Sequence, residues 1–404
     1  MNVTIAIFGL ALLILIHEAG HFLVARAVGM NPRKFYVGFP PALAKTTRNG
    51  IEYGLGAIPL GGYVKIPGMH RPAAGDLDIH FGRAAGEQPG LARQVEELRR
   101  RLEDADHEGA KGAVAELRTR VDAVELSPVA AKSAERGLTE IGDALAPDAY
   151  WRAKTWKRVA VIFAGPGANL LLAVVLFAAL YMAGGGKATN VVADVVPDTP
   201  AASAGLQPGD TILAIDGMPV EAASISRTIS GSEGRPLTVL VRRDGREVTL
   251  DPARPQEQDG VYRLGFVLQG EGLGPGESVW QALRATVLVT KEIGATIGRL
   301  VTGDGRDEIA SPVGIVQGSS QAAERGAESY LWVLGLISLS LALLNLLPLL
   351  PLDGGHIAFS IVEGVRRRAV GRDVYERVSI IGIALVLMLF FIGLSNDLGG
   401  RGPG

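Results

Sequence analysis

The chain is expected to be an α-helical polytopic membrane protein with four transmembrane helices, a membrane-associated β-loop and one inserted mixed α/β domain. Three observations predict this. Of 404 residues 48% are hydrophobic while 20% are charged, a balance that suits membrane spans joined to soluble modules. Runs at about 3–28, 159–183, 330–350 and 379–394 approach the roughly 20 apolar residues that a bilayer requires of a helix, the last only with tilt or local thinning. Between them the pattern turns to strands over 31–68 and 190–272, and to charged helix over 69–157.

The first span, 1–30, carries His17-Glu18-Ala19-Gly20-His21 inside an otherwise apolar run. On a helix His17 and His21 lie one turn apart, so both imidazoles leave the same face and can hold one zinc ion. Glu18 sits beside them, where a carboxylate can take a proton from water on the metal. A charged carboxylate in hydrocarbon costs about 2.5–3.5 kcal/mol on insertion scales, which makes a functional role the default. With six His and no Cys in the chain, a chance match is rare and a thiolate site is excluded, as are disulfides. Met1-Asn2-Val3 lacks the basic residues of a signal peptide, so the run is expected to remain as a span.

Residues 31–68 include Gly54-Leu-Gly-Ala-Ile-Pro-Leu-Gly61-Gly62-Tyr63-Val64-Lys65, whose β-branched and aromatic residues among glycines suggest short strands. In the insertion 69–157, Leu91, Val95, Leu98 and Leu102, then Val114, Leu117, Val121 and Val124, recur at helical spacing. Two amphipathic helices are expected there, broken near Gly109 and Gly112, with their charges solvated. The second span, 158–184, opens on Ala164-Gly165-Pro166-Gly167-Ala168-Asn169.

Over 190–272, Asp198-Thr-Pro200 leads into Gly205-Leu206-Gln-Pro208-Gly209-Asp210, and Asp244-Gly245 marks a hairpin between two strand-like runs. Arg263-Leu264-Gly265-Phe266-Val267 follows. Residues 275–328 read as an amphipathic helix and a loop. The third span, 329–356, ends in Asn345-Leu-Leu-Pro348-Leu-Leu-Pro351-Leu352-Asp353-Gly354-Gly355-His356. Its prolines interrupt the helix, and the glycines permit a turn that aims Asp353 back into the bundle. Catalytic zinc commonly has three protein ligands, so a third is needed; Asp353 is the chemical candidate, His356 its rival, and a helix-capping Asp353 the plain alternative. His70, His80 and His107 lie in polar sequence. Asn169 and Asn345 are amides at membrane depth, costly unless hydrogen-bonded, and serve equally as contacts between helices. The fourth span is 378–396.

Lys and Arg crowd the loops 29–157 and 351–378, while Lys187, Arg325 and Arg401 stand alone near the other ends. By the positive-inside rule both termini and the 190–272 domain face out of the cell, in a multi-pass protein of the inner (plasma) membrane. His21 then lies about 13 Å from the cytoplasmic end of its helix, which puts the metal in the inner leaflet. A net charge of −2 gives no sign of a nucleic-acid partner.

H-E-x-x-H in the first span with N-x-x-P-x-x-P-L-D-G closing the third resembles the site-2 protease family of intramembrane zinc metalloproteases, in particular its branch like the bacterial regulator of sigma-E protease. The likeness covers the chain apart from the insertion near 85–150. It implies Zn2+ held by His17, His21 and Asp353, with Glu18 as catalytic base. It implies that Asn345 and Asn169 hold substrate, and that the β-loop at Gly61, Gly62, Tyr63 and Val64 adds a substrate strand to its edge. The 190–272 segment resembles a bacterial, circularly permuted PDZ domain. Its carboxylate-binding loop would be Leu264, Gly265 and Phe266, the glycine admitting a carboxylate close to the backbone. That groove either captures a carboxy-terminus or only excludes bulky substrates. The expected substrates are single-span membrane proteins such as anti-sigma factors, already shortened by an upstream site-1 protease. A catalytically silent PDZ membrane scaffold and a metal transporter are the rival classes; intact Glu18 and Asp353 oppose the first, and the want of an acidic pathway opposes the second.

Overall fold

The computed structural model describes residues 2–258, 260–302, 306 and 309–399. It divides into two units, one of 1–171, 295–320 and 337–404, the other of 172–294 and 321–336. Among the described residues, four helices are long and apolar enough to cross a membrane, namely Val3–Ala27, Thr155–Gly185, Ala327–Asn345 and Val374–Leu398. The fourth helix is 25 residues long and extends beyond the apolar run 379–394 at both ends.

Helix α1 (Asn2–Ala27) is followed by β1 (Lys34–Arg48) and β2 (Ile51–Lys65), joined at Asn49-Gly50, where both residues have positive φ. That pair is the sequence signature of a tight hairpin whose twist matches its strands. The start of β1 pairs twice: Lys34 to Val37 face Glu52 to Leu55 on one side and Gly62 to Lys65 on the other. Gly62–Lys65 is therefore an edge of this sheet.

The insertion departs from the expected pair of helices. It forms four, α2 (Ala74–Glu87), α3 (Pro89–Glu103), α4 (His107–Asp122) and α5 (Pro128–Leu145), each packed on the next and α5 back on α2. Leu77, Phe81, Leu98, Leu117 and Leu138 are almost wholly buried in their common core. The break between the middle helices falls at 104–106, not at Gly109 and Gly112, which lie inside α4. Asp106 caps α4 by accepting from the Gly109 N–H at 2.9 Å, and a Cβ at 109 would meet that carboxylate. Gly109 thus admits the cap instead of ending a helix. Helix α6 (Thr155–Leu180) follows, with Pro166 inside it.

The second unit holds β3 (Lys187–Val195), α7 (Pro200–Ser203), β4 (Thr211–Ile215), β5 (Met218–Pro219), α8 (Ala222–Ser230), β6 (Val239–Arg243) and β7 (Arg246–Thr249). The hairpin β8 (Gln256–Gln258) and β9 (Val261–Arg263) and then β10 (Phe266–Glu271) complete it. The sheet order is β10-β3-β4-β6-β7, with β10 at one end. The turn between β6 and β7 is Asp244-Gly245, as the dipeptide predicts.

Asp210 is 1% exposed and receives both Nε and Nη2 of Arg243, at 2.7 and 2.6 Å. Burial raises its pKa, but Arg243 and the Gln207 N–H outweigh this and hold it below the ordinary carboxylate value. Its contribution is therefore present above about pH 4 and lost as the pH falls through the depressed folded value. Arg243→Leu strands a buried carboxylate and is expected to destabilise this unit by roughly 3 kcal/mol at pH 7, and by much less once Asp210 is protonated. Hydrogen exchange of the β4 and β6 amides from pH 3 to 7 measures both; an equal loss at both ends would refute the assignment.

Helix α9 (Pro275–Thr302) leads to α10 (Pro312–Glu324), α11 (Ala327–Asn345), α12 (Asp353–Arg366) and α13 (Arg372–Leu398). The segment 346–352 breaks the third span, and the helix resumes at Asp353. Two carbonyls, of Leu346 and Leu347, lie 2.2 and 2.3 Å from where a Cβ of Gly354 would stand, so only glycine lets the chain double back here.

Candidate metal centre

Three side chains from two distant stretches converge. His17 and His21 project from one face of α1 and are each 7% exposed, and Asp353 enters from the first turn of α12. His17 Nε2 and His21 Nε2 lie 3.1 and 3.4 Å from Asp353 Oδ2, and 3.2 Å from each other. The Val161 carbonyl, 2.8 Å from His21 Nδ1, can only accept, so Nδ1 carries a proton, and in the neutral ring that a metal ligand must be, Nε2 is the free lone pair.

His17 Nδ1 meets the amide of Asn169 at 3.3 Å. Asn169 is fully buried, and its Oδ1 has no hydrogen-bond partner. Turning the amide, which leaves the heavy atoms in place, sets Oδ1 against Nδ1–H and frees Nε2 as well. Asp353 Oδ2 is likewise buried without a hydrogen bond. With both rings neutral, three lone-pair atoms face each other, and a cation between them would offset their repulsion. Tetrahedral zinc with bonds of about 2.0–2.1 Å needs ligand atoms about 3.3 Å apart, which is the spacing found. The set therefore fits zinc, with Val161 and Asn169 orienting the rings from behind.

Glu18 lies beside this set. The edge strand comes within reach of it: a Cβ at Gly62 would stand 3.1 Å from Glu18 Cγ and 2.7 Å from the Tyr36 carbonyl, and the Val64 N–H faces the carboxylate. Gly61, with φ of 123°, turns the chain into that strand. Tyr63 stacks on Tyr36 at 5.1 Å, stiffening the approach. On the same sheet, hydrogen bonds from Lys34 and Tyr36 hold the Glu52 carboxyl at about 2.

Asn345 closes α11, half-buried. His356 is not among the converging atoms; its Nδ1 lies 2.9 Å from the Tyr375 hydroxyl. Leu264, Gly265 and Phe266 lie in the second unit at one end of a cavity of about 520 Å³ between α8 and β10. The glycine there has a reason besides ligand approach: φ is 88°, and a Cβ would stand 2.4 Å from Thr199. Gly165, legible in sequence only as part of the run that opens the second span, packs on the two histidines. A Cβ there would lie 2.2 Å from His21 Nε2 and 2.8 Å from His17 Nε2, so α6 closes over the centre only because this residue has no side chain. Gly20 mirrors it on α1, against the Ala164 carbonyl at 2.3 Å. The Gly165-Pro166-Gly167 run was visible, but nothing in it names the partner it packs on.

The profile of peptidase family M50 matches residues 5–389. A Rhizobium meliloti protein, named provisionally as a zinc metalloprotease, is 34% identical over 412 residues, covering 97% of this chain and 95% of its own. The zinc metalloprotease RasP of Geobacillus kaustophilus is 30% identical over 414 residues, covering 98% and 96%. The protease named eep of Enterococcus faecalis is 28% identical over 414 residues, covering 98% and 97%. The converging donor set and these matches along nearly the whole chain agree: this protein belongs to peptidase family M50, the site-2 protease family, and is a zinc-dependent metalloprotease.

Proposed function

We propose that the enzyme cleaves single-span membrane proteins within the membrane, with zinc held by His17, His21 and Asp353 and with Glu18 as base. The observation that carries this is the convergence of three donor atoms at metal spacing, His17 and His21 from a helix apolar enough to span and Asp353 from the first turn of α12, with Glu18 and a sheet edge alongside. When bound, zinc supplies Lewis acidity toward the scissile carbonyl and acidifies water. Glu18 accepts the proton of the attacking water and returns it to the leaving amine. Gly62 and its neighbours pair with an unwound stretch of substrate, and Asn345 holds a substrate carbonyl. Asn169, given to substrate by family likeness, is here better suited to orienting His17.

In this reading both termini face out of the cell and the metal lies toward the cytoplasm. The second unit is a PDZ-like domain, for which the end-strand position of β10 and the cavity beside α8 speak. Substrates are anti-sigma factors or similar proteins shortened by an upstream protease, so that cleavage signals across the membrane. We favour exclusion of bulky substrates over carboxy-terminus capture, since substrate tethered in the same membrane needs little extra affinity.

The test uses proteoliposomes with a single-span substrate, long or shortened, and mass-spectrometric mapping of the cut. A cut inside the span supports the proposal, and no cut in zinc-loaded protein favours a silent scaffold. Because Gly265 is needed by its own loop, the groove is better probed at exposed Ser226, which lines the cavity. Ser226→Trp is expected to leave cleavage of shortened substrate within about 2-fold, while deletion of 187–271 admits the long one. A 10-fold loss with Ser226→Trp would instead establish capture of a carboxy-terminus.

A further inference from the structure

The insertion α2–α5 has its own core, and its last helix grips the β-sheet at one place. Arg33 and Lys65, where the chain enters and leaves that sheet, are tied to each other by Arg33 N–H donating to the Lys65 carbonyl at 2.7 Å. Asp143 on α5 takes Arg33 Nε at 2.9 Å and Lys65 Nζ at 2.8 Å. Asp148, just beyond α5, takes both Arg33 terminal nitrogens at 3.0 Å, the two-pronged geometry that fixes direction as well as distance. The two carboxylates are only 14% and 15% exposed, and the Tyr150 N–H bonds the Pro67 carbonyl at 2.8 Å behind them. Elsewhere on the sheet Leu43 is 68% and Leu55 50% exposed.

We propose that the four-helix insertion is the mount of the substrate-pairing strand, Asp143 and Asp148 acting as positioning residues that set Gly62–Lys65 in register over Glu18. This rests on the strand-addition reading above. The physical need is clear: Val64, one residue from the clamped Lys65, faces the carboxylate that must meet one particular peptide bond. A misplacement of about 1 Å is enough to cost about 100-fold in rate. A paired edge free to slide would also offer Glu18 several bonds in turn.

The test is done on full-length, zinc-loaded enzyme in nanodiscs with one purified single-span substrate and no other protein. Asp143→Asn with Asp148→Asn is expected to keep zinc and leave KM within about 3-fold. It should lower kcat about 10-fold or more and spread the cut over neighbouring bonds. Lys65→Cys with Asp143→Cys, unique thiols in a chain without cysteine, should show the same spread and regain a single cut when bridged by a short bismaleimide. Unchanged kcat with a single cut in the double Asn variant overturns the proposal, as does failure of the bridge to restore the single cut, which would mark a folding defect. Tyr63→Pro, which breaks the strand itself, runs in parallel. If it cleaves normally, strand addition fails and this inference with it; if only it is impaired, the mount alone is refuted.

Discussion

Glu18→Gln is expected to abolish cleavage, by about 10³-fold or more, while zinc per chain stays at the wild-type level. Glutamine keeps the shape of the side chain and removes its capacity to accept a proton. The metal set does not need it, since His17, His21 and Asp353 already bring three donor atoms to within 3.1–3.4 Å of one another. Alanine at any of those three should behave differently, losing zinc as well as activity, because two ligands cannot hold the ion against water. Zinc content in detergent, measured beside cleavage of a model span, separates the classes. Full activity in Glu18→Gln would end the case for this base. Normal zinc in Asp353→Ala together with zinc loss in His356→Ala would transfer the third ligand to His356.

Gly165→Ala is expected to weaken zinc binding by about 10–100-fold, an effect of the size seen when groups supporting a metal site are lost. The new methyl would stand 2.2 Å from His21 Nε2 and 2.6 Å from its Cε1, well inside contact distance. The His21 ring has little room to retreat, because its Nδ1–H is held by the carbonyl of Val161 on α6, one turn before Gly165. Overpacking of this kind costs about 1–3 kcal/mol even without a metal, so apo protein should also be less stable. Gly167→Ala is the control: its methyl would touch only the Phe163 ring, at 3.2 Å, and zinc affinity should hold within about 3-fold. Competition against a chromophoric chelator gives both numbers. Wild-type affinity in Gly165→Ala would mean that the rings bind metal in another position.

Local pattern carried much of the molecule. The four spans followed from apolar runs, since hydrocarbon demands about 20 such residues whatever the rest of the chain does. The two histidines needed only the helical period to share a face, and Asp244-Gly245 needed only its backbone preference to make a turn. The helical insertion was legible as helical but not in its helix number. Leu and Val spacing over 91–124 marked the middle two helices, while the first and last set Ala and Gly beside their Leu, Phe and Ile on the core face, and a glycine that admits a cap looks in sequence like one that ends a helix. Residue chemistry alone left His356 as a rival third ligand, and only the likeness of the N-x-x-P-x-x-P-L-D-G motif favoured Asp353. In the folded chain Asp353 Oδ2 lies 3.1 and 3.4 Å from the two histidines, whereas His356 Nδ1 lies 2.9 Å from the Tyr375 hydroxyl.

Local pattern thus specifies the parts: spans, a histidine pair with its carboxylate, a candidate third ligand, strands and a charged helical insertion. Which of these parts meet is set by the packing of the whole chain. Val161 and Asn169 behind the rings, Gly165 over the metal set, and Gly62 beside Glu18 are contacts between segments far apart in the chain. Such contacts depend on how two backbones approach, at a scale of tenths of an ångström, and no periodicity of one segment records the position of another.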